Sequence, residues 1–304
     1  MALYAFDGTW NSATLHDGEE QEKETNVALF AEAYTGDTLY VPGVGTKFKA
    51  VGRVLGGAFG IGGRDRVKDA YKDLCKNWAE GDHDIDIVGF SRGAALALDF
   101  ANRIEDNGIR RPGSKDVVED NPTIRFLGLW DVVGAFGVPF NLGPIPLQKI
   151  NLGHKLKIPE NVEHCFHAIA IDERRQTFRV TRVLNGYEVW FRGVHSDVGG
   201  GNGNVGLSTI ALRWMLRKAL GAGLPIDPAF IPAHEGKIDA DAPLHPPKDF
   251  IPNEFRGFLD GDRFHYTVKE RPGHHNPPAD CTRETDAEEL LSARLSDLPP
   301  RNVG

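Results

Sequence analysis

The stretch DIDIVGFSRGAALALDFANRI, residues 84 to 104, decides the first expectation for the fold. It begins as a short apolar strand and ends with apolar residues at the three- and four-residue spacing of a helix. Between the two lies Gly89-Phe90-Ser91-Arg92-Gly93. This spacing is typical of a nucleophile elbow, a tight strand-to-helix turn in which two glycines make room for a serine. The alternative is a purely structural turn, in which Ser91 is there because it is small.

Outward from this unit, the chain alternates between predicted strands and predicted helices. Such alternation predicts an α/β fold with a mostly parallel sheet covered by helices on both faces, and the elbow makes an α/β-hydrolase-like fold the expectation. We expect one domain over residues 1–304, whose proline-rich portion from about residue 222 consists of packed loops. The predicted strands lie at 2–6, after 37, at 84–90, 123–131, 165–171 and from 187. The predicted helices lie near 27–34, 64–81, 92–104, 207–220 and 286–295.

Composition and charge exclude several classes of protein. The 304 residues are 40% hydrophobic and carry a net charge of -8 with scattered basic residues, which argues against nucleic acid as a partner. The three cysteines, Cys75, Cys165 and Cys281, have no spacing typical of a disulfide framework or a zinc site. The first residues lack the pattern of a secretory signal, and no apolar run reaches the roughly 18 residues of a membrane span. We therefore expect a cytoplasmic protein, and export by a route that reads no signal peptide stays open.

A serine nucleophile needs a base, and a histidine at the carboxyl end of a strand is the best candidate. His195 follows an apolar strand and precedes a run of glycines in GVHSDVGGG. Asp131, at the end of FLGLWD, fits as the acid that orients the imidazole, and the order Ser91, Asp131, His195 is the chain order of α/β-hydrolases. Asp197 is the alternative acid, although its loop would have to fold back. His195 as a turn residue and Asp131 as a cap are the structural alternatives.

An ester hydrolase also needs donors for the oxyanion of its transition state. The amide of Arg92 follows the nucleophile at the start of a helix and is the first predicted donor. Gly8 and Thr9, in FDGTWN, are the predicted second donors, because a strand-end turn can bring bare N–H groups close to a substrate. The alternative is an ordinary Asp-Gly turn.

Other motifs are open to two interpretations. The apolar segment 132–147 begins at Asp131, and we predict that it forms a wall or lid for an acyl chain, with Phe136 and Phe140 in contact with substrate. Arg174 and Arg175 could bind a phosphate head group, but their position in DERR favours a structural ion-pair network. The glycines at 201, 203 and 206 spell a dinucleotide-binding pattern, which lacks the following strand that such a fold requires.

Six ordered motifs resemble one known family: FDGTWN, VPGVGT, GFSRGAA, LWDVVGAFG, HAIAIDERRQTF and WFRGVHSDVGGG. Together they are similar to the DUF2235 family, which includes the Tle1-like phospholipase effectors of type VI secretion. The resemblance covers about residues 1 to 270 and implies a serine hydrolase triad on Ser91, Asp131 and His195. The chain departs from the family in the helix after the elbow, and from its 304 residues we expect no large membrane-engaging extension like that of those effectors.

The sequence thus predicts a serine hydrolase that cleaves a carboxylic ester, most readily a lipid or phospholipid acyl ester, with no cofactor and no metal. The predicted partners are the ester substrate and, peripherally, a membrane surface, while any immunity or secretion partner is unknown. Two alternatives stay open: a non-catalytic binding or delivery module on the same scaffold, and an esterase or deacetylase for small esters.

Overall fold

The computed structural model describes most of the chain. It covers residues 2–8, 24–43, 53–54, 63–134, 156–175, 178–183, 185–203, 205–245, 254–271, 273, 275–284 and 294–297. The architecture and the contacts given below are those of these residues.

A single large sheet organises the described residues. Nine strands lie in the order β11-β10-β9-β8-β7-β4-β1-β2-β3, and every neighbouring pair in it is parallel. A separate antiparallel pair is formed by β5 and β6. The strands are β1 (Ala2–Phe6), β2 (Asp37–Val41), β3 (Arg53–Val54), β4 (Ile85–Phe90), β5 (Ile109–Arg110), β6 (Val117–Glu119), β7 (Ile124–Trp130), β8 (Val162–Ala170), β9 (Tyr187–Phe191), β10 (Arg263–His265) and β11 (Thr282–Glu284).

Helices cover both faces of this sheet, because its central strands are apolar on both sides. In β1, Leu3 and Ala5 join one core, whereas Tyr4 and Phe6 join the other. The first core contains α1 (Asn26–Ala33) and α5 (Val205–Gly221), and the second contains α2 (Gly63–Ala79) and α3 (Arg92–Asn107). Shorter helices are α4 (His195–Gly199), α6 (Phe230–Glu235) and α7 (Thr267–Glu270). The predicted fold class, a mostly parallel α/β sheet covered on both faces, is confirmed.

The portion after residue 222 differs from the prediction of packed loops. It contributes β10 and β11, which extend the main sheet beyond β9. Phe264 of β10 is buried in a small apolar cluster with Trp190 of β9. The predicted helix at 286–295 falls mostly outside the described residues, of which Leu295–Asp297 form one turn of 3₁₀ helix.

The parallel arrangement brings several predicted residues to one edge of the sheet. Strands β1, β4, β7 and β9 end at Phe6, Phe90, Trp130 and Phe191. The residues that follow these ends include Gly8, Ser91, Asp131 and His195. The fold alone therefore gathers chain segments that are far apart in sequence at the carboxyl edge, where α/β proteins carry their binding sites.

Candidate active site

Ser91 occupies a strained backbone position between β4 and α3. Its φ of 59° and ψ of -124° lie in a region that L-residues avoid, and the described residues contain only one other non-glycine residue with positive φ, Asp131 at 41°. The serine precedes the first residue of α3, yet its hydroxyl makes no capping bond to that helix. A serine in this position ordinarily serves as a cap. Strain of this kind clusters at functional sites, and here it falls on two of the three predicted catalytic residues.

The two glycines of the elbow are required by close backbone contacts. A Cβ on Gly89 would lie 2.7 Å from Cα of Ala94. A Cβ on Gly93 would lie 2.6 Å from the carbonyl oxygen of Asp7 and would also collide with that of Phe6. These obstacles are backbone atoms of a paired strand and a helix, so they cannot rotate away. The glycine spacing read from the sequence therefore has the steric cause that an elbow requires.

Replacing Gly93 with alanine should destabilise the fold by about 3 kcal/mol, because the new methyl group meets the backbone at the end of β1. The free energy of unfolding, measured by urea denaturation, checks this value. Gly236 is the matched control, since its φ is -67° and no atom lies within 4 Å of the place that a new methyl group would take. Gly236→Ala should change stability by less than about 0.5 kcal/mol. Equal effects at both positions would contradict the steric account.

His195 and Asp131 form a buried hydrogen-bonded pair. The Nδ1 atom of His195 lies 2.6 Å from Oδ2 of Asp131, and both side chains are almost fully inaccessible. The imidazole packs between Phe90 and Phe178, with ring centroids 4.6 Å and 4.7 Å away. His195 is the first residue of α4 rather than the end of a strand, four residues after β9. The structure therefore brings together the two residues that the sequence predicts as base and acid.

Ser91 lies beside the same segment. Its N–H donates to the carbonyl of Trp130 at 3.0 Å, and its own carbonyl accepts from the N–H of Val133 at 3.2 Å. The partners of these two bonds lie before and after Asp131 in sequence. Phe90, which precedes the serine, is one of the rings that pack on His195. With Nδ1 of His195 held by Asp131, base chemistry at this imidazole falls to Nε2.

An arginine that the sequence does not indicate binds Asp131 from the other side. Nη1 and Nη2 of Arg256 donate to Oδ1 and Oδ2 of Asp131 at 2.6 Å and 3.0 Å. Burial alone would raise the pKa of the Asp131 carboxyl, but the charge of Arg256 and the bond to His195 outweigh it. The pKa of Asp131 is therefore held well below its ordinary value, and the residue is a carboxylate at neutral pH.

The DERR motif supports His195 rather than facing solvent. Oε2 of Glu173, a buried residue, accepts the backbone N–H of His195 at 3.1 Å. Arg175 binds both oxygens of Glu173, at 2.9 Å and 2.7 Å, and lies over the ring of Phe178. Burial raises the pKa of Glu173, and the Arg175 bond and charge lower it by more, so the net direction is downward. For Arg175 the structural interpretation thus has direct support, and Arg174 lies over the ring of Phe255.

Asp197, the alternative acid, is bonded elsewhere. Its Oδ1 lies 2.6 Å from Nδ1 of His245 and accepts from Asn202 at 2.7 Å, while Oδ2 accepts the N–H of Val194 at 3.1 Å. It caps the start of α4, the helix that begins with His195. In the structure, the side chain of His195 is therefore hydrogen-bonded to Asp131, whereas Asp197 stabilises the start of α4.

The predicted oxyanion donors fare differently. Arg92 is the first residue of α3 and directly follows Ser91, so its N–H lies at the start of that helix. The N–H of Gly8 donates to Oδ1 of the preceding Asp7 at 2.6 Å, so it has an acceptor within the protein, and its role as an oxyanion donor stays a prediction. A Cβ on Gly8 would nonetheless lie 3.2 Å from Cβ of Ser91, so this turn borders the elbow. Thr9, Phe136 and Phe140, together with most of the predicted lid, lie outside the described residues.

Asp7 itself is a buried carboxyl that should make stability depend on pH. Burial raises its pKa to about 6, and hydrogen bonds from Tyr40, Thr25 and Gly8 offset only part of that rise. The folded state thus keeps a proton that the unfolded chain releases above pH 3.8, so stability falls as pH rises from 4 towards 7.

Asp7→Asn should remove this dependence. Relative to the variant, the wild type should lose about 2 kcal/mol of unfolding free energy between pH 4 and pH 7, as measured by denaturant titration at each pH. Asp65→Asn, at a half-exposed site, controls for the loss of one charge. Parallel stability curves for wild type and Asp7→Asn would contradict a raised pKa at this residue.

Metal clusters and membrane spans are both missing from the described part of the chain. No group of three or more histidine, cysteine, aspartate or glutamate side chains in that part has the arrangement of a metal site. No helix there is long and apolar enough to cross a membrane.

Two solved structures are similar to the chain. A crystal structure of an uncharacterized protein from Pseudomonas aeruginosa aligns with a TM-score of 0.50 and 23% identity, over 78% of this chain and 48% of that one. A structure of the Tle1 effector bound to the VgrG spike from the type VI secretion system aligns with a TM-score of 0.46 and 22% identity, over 67% and 51%. The chain thus spans about half the length of these structures.

The comparison with models of sequence families shows which family the chain belongs to. None of the curated proteins matches the chain. The model of the type VI secretion phospholipase effector family, Tle1-like, catalytic domain, matches residues 3–120 and 110–218, which together are more than half of the chain. The match contains the elbow and the His195–Asp131 pair at the carboxyl edge of the sheet. The chain belongs to the family of Tle1-like phospholipase effector catalytic domains.

Proposed function

We propose that the protein is a serine hydrolase that cleaves the acyl ester of a phospholipid, with Ser91 as nucleophile, His195 as base and Asp131 as the acid that orients the imidazole. The observation that carries the proposal is the 2.6 Å bond between His195 and Asp131, beside a strained serine whose hydroxyl does not cap its helix. Family membership supports the lipid substrate. It also extends the proposal to delivery by a type VI secretion system.

The proposed reaction follows the acyl-enzyme route. Oγ of Ser91 attacks the ester carbonyl carbon while its proton passes to Nε2 of His195. The tetrahedral oxyanion is stabilised by the N–H of Arg92 and by the start of α3. The C–O bond then breaks, and the leaving lysophospholipid takes the proton from Nε2. Water repeats the sequence on the acyl-serine and releases the fatty acid.

Asp131 is suited to its part because it stays ionised. A carboxylate at Oδ2 keeps the proton of the neutral imidazole on Nδ1, so that Nε2 presents its lone pair as base. Both members of the pair are buried, and the imidazole contacts the rings of Phe90 and Phe178, so the interaction lies away from solvent and is strengthened.

Product analysis tests the proposal. Phospholipid vesicles incubated with the wild type should release fatty acid and lysophospholipid, and the Ser91→Ala variant should release neither. Faster cleavage of acetyl esters than of phospholipids would replace the phospholipid assignment by a small-ester esterase. No hydrolysis of any ester by the folded wild type would favour a binding or delivery module instead.

A further inference from the structure

Arg256 is held in place by more bonds than an ion pair alone requires. Besides the two bonds to Asp131, Nη1 donates to the carbonyl of Ala170 at 2.8 Å and Nη2 to that of Phe178 at 2.6 Å. Its side chain is only 7% exposed. A planar guanidinium is suited to this task, because its donors are fixed in direction and can satisfy four acceptors at once.

The backbone of Arg256 is also fixed. Its carbonyl accepts from Nε2 of His275 at 2.8 Å, and His275 stacks on the rings of both Phe255 and Phe258. Phe258 in turn packs edge-on against Trp190 of β9. The segment that carries Arg256 is therefore attached to the sheet independently of Asp131, so the guanidinium can serve as a fixed support for a strained residue.

Oδ2 of Asp131 is the atom that links the two partners. It accepts from Nη2 of Arg256 at 3.0 Å and from Nδ1 of His195 at 2.6 Å. Oδ1 accepts from Nη1 of Arg256 and from the N–H of Ala170. Both oxygens are thus saturated, and the plane of the carboxylate is set by the arginine and the end of β8.

Charge adds a second effect to this geometry. Among the described residues in contact with His195, the carboxylates are Asp131 and Glu173, and each has its own arginine, Arg256 and Arg175. Asp197, in the same helix, is bonded to His245. A carboxylate that is neutralised by an arginine stabilises a nearby imidazolium less than a lone one does. Arg256 therefore opposes protonation of the pair.

We propose that Arg256 is a positioning residue for the reaction, an inference that rests on the proposed function. Arg256 fixes Asp131 in the orientation that meets His195. Its charge also keeps the pair unprotonated where His195 must act as a base. Arg256→Gln should then lower kcat about 100-fold with little change in KM, because the imidazole loses its alignment. The acid limb of its kcat/KM profile should move up by about one pH unit. Arg256→Lys should keep the limb in place and recover only part of kcat.

Arg125 supplies the matched control, because it makes the same kind of bidentate bond to a buried aspartate at the opposite end of the strands. Its Nε and Nη2 bind Oδ1 and Oδ2 of Asp86, the second residue of β4, at 2.9 Å and 2.6 Å. Arg125→Gln should cost stability without moving the acid limb. An unmoved limb in Arg256→Gln would reduce Arg256 to a structural residue and overturn the proposal.

A measurement that needs no activity separates this proposal from the proposed function. The pH at which the His195 imidazole takes up its proton, followed by NMR with His195→Asn for assignment, should rise by about one unit in Arg256→Gln. If that pH does not rise, the inference is overturned, whether or not the wild type hydrolyses lipids. If Arg256→Gln fails to fold, Arg256→Lys decides the question. A wild-type kcat in Arg256→Lys would overturn the inference, and a lowered kcat with an unmoved acid limb would support it.

Discussion

Ser91→Ala is expected to lower the rate of ester hydrolysis about a million-fold, the scale on which loss of a nucleophilic serine acts in other hydrolases. The hydroxyl makes no bond to α3, so its removal should change the free energy of unfolding by less than about 0.5 kcal/mol. Initial rates on a phospholipid and denaturation curves measure the two effects. Ser208→Ala, at another buried serine, controls for the loss of a buried hydroxyl and should retain activity.

Ser91→Gly sharpens this prediction, because glycine adopts a φ of 59° without strain. The variant should be as inactive as Ser91→Ala but more stable than the wild type by about 1 kcal/mol. A protein that gains stability when its serine is removed keeps that serine for a reason other than folding. Retained hydrolysis in either variant would rule out Ser91 as the nucleophile.

Asp131→Asn should lower kcat about ten-thousand-fold, because an amide can donate to Nδ1 of His195 and hold the wrong tautomer. The variant should also lose about 3 kcal/mol of stability, since it leaves the buried guanidinium of Arg256 without its counter-charge. Steady-state kinetics and urea denaturation measure both.

Asp197→Asn is the comparison that separates the two candidate acids. Its carboxylate binds His245 and the start of α4, so the change should reach His195 only through the position of the helix. The loss of kcat should be far smaller than in Asp131→Asn. The reverse order would show that Asp197 is the acid and that the bond seen between His195 and Asp131 is not the productive one.

The sequence predicted the central fold well because its strands are apolar on both faces. The runs at β1, β4 and β7 end at the predicted residues or within one of them, whereas β9 ends four residues before His195. The elbow is marked by two glycines with a steric reason to be there. Because a parallel sheet aligns the carboxyl ends of its strands, the strand ends also predicted which side chains could meet. The His195–Asp131 contact follows from that geometry.

The contributions of the tail could not be predicted because they depend on buried charges rather than on an apolar pattern. In β11, a strand of three residues, Glu284 is held by Tyr187, Trp214 and Lys218 at 2.5 Å, 3.1 Å and 2.8 Å. Arg256 likewise reaches Asp131 across 125 positions of sequence. An arginine in a proline-rich segment carries no local signal for such a partner. The use of the Gly8 N–H by Asp7 is equally a matter of local geometry.

The most direct test of the account is covalent labelling by a fluorophosphonate, which reacts with serines activated by a base. The wild-type protein should take up one probe per chain, and peptide mass spectrometry should locate it on Ser91. Ser91→Ala should take up none, and Asp131→Asn should react far more slowly. A folded wild type that stays unlabelled, or that is labelled at another residue, would contradict the claim that Ser91 is an activated nucleophile.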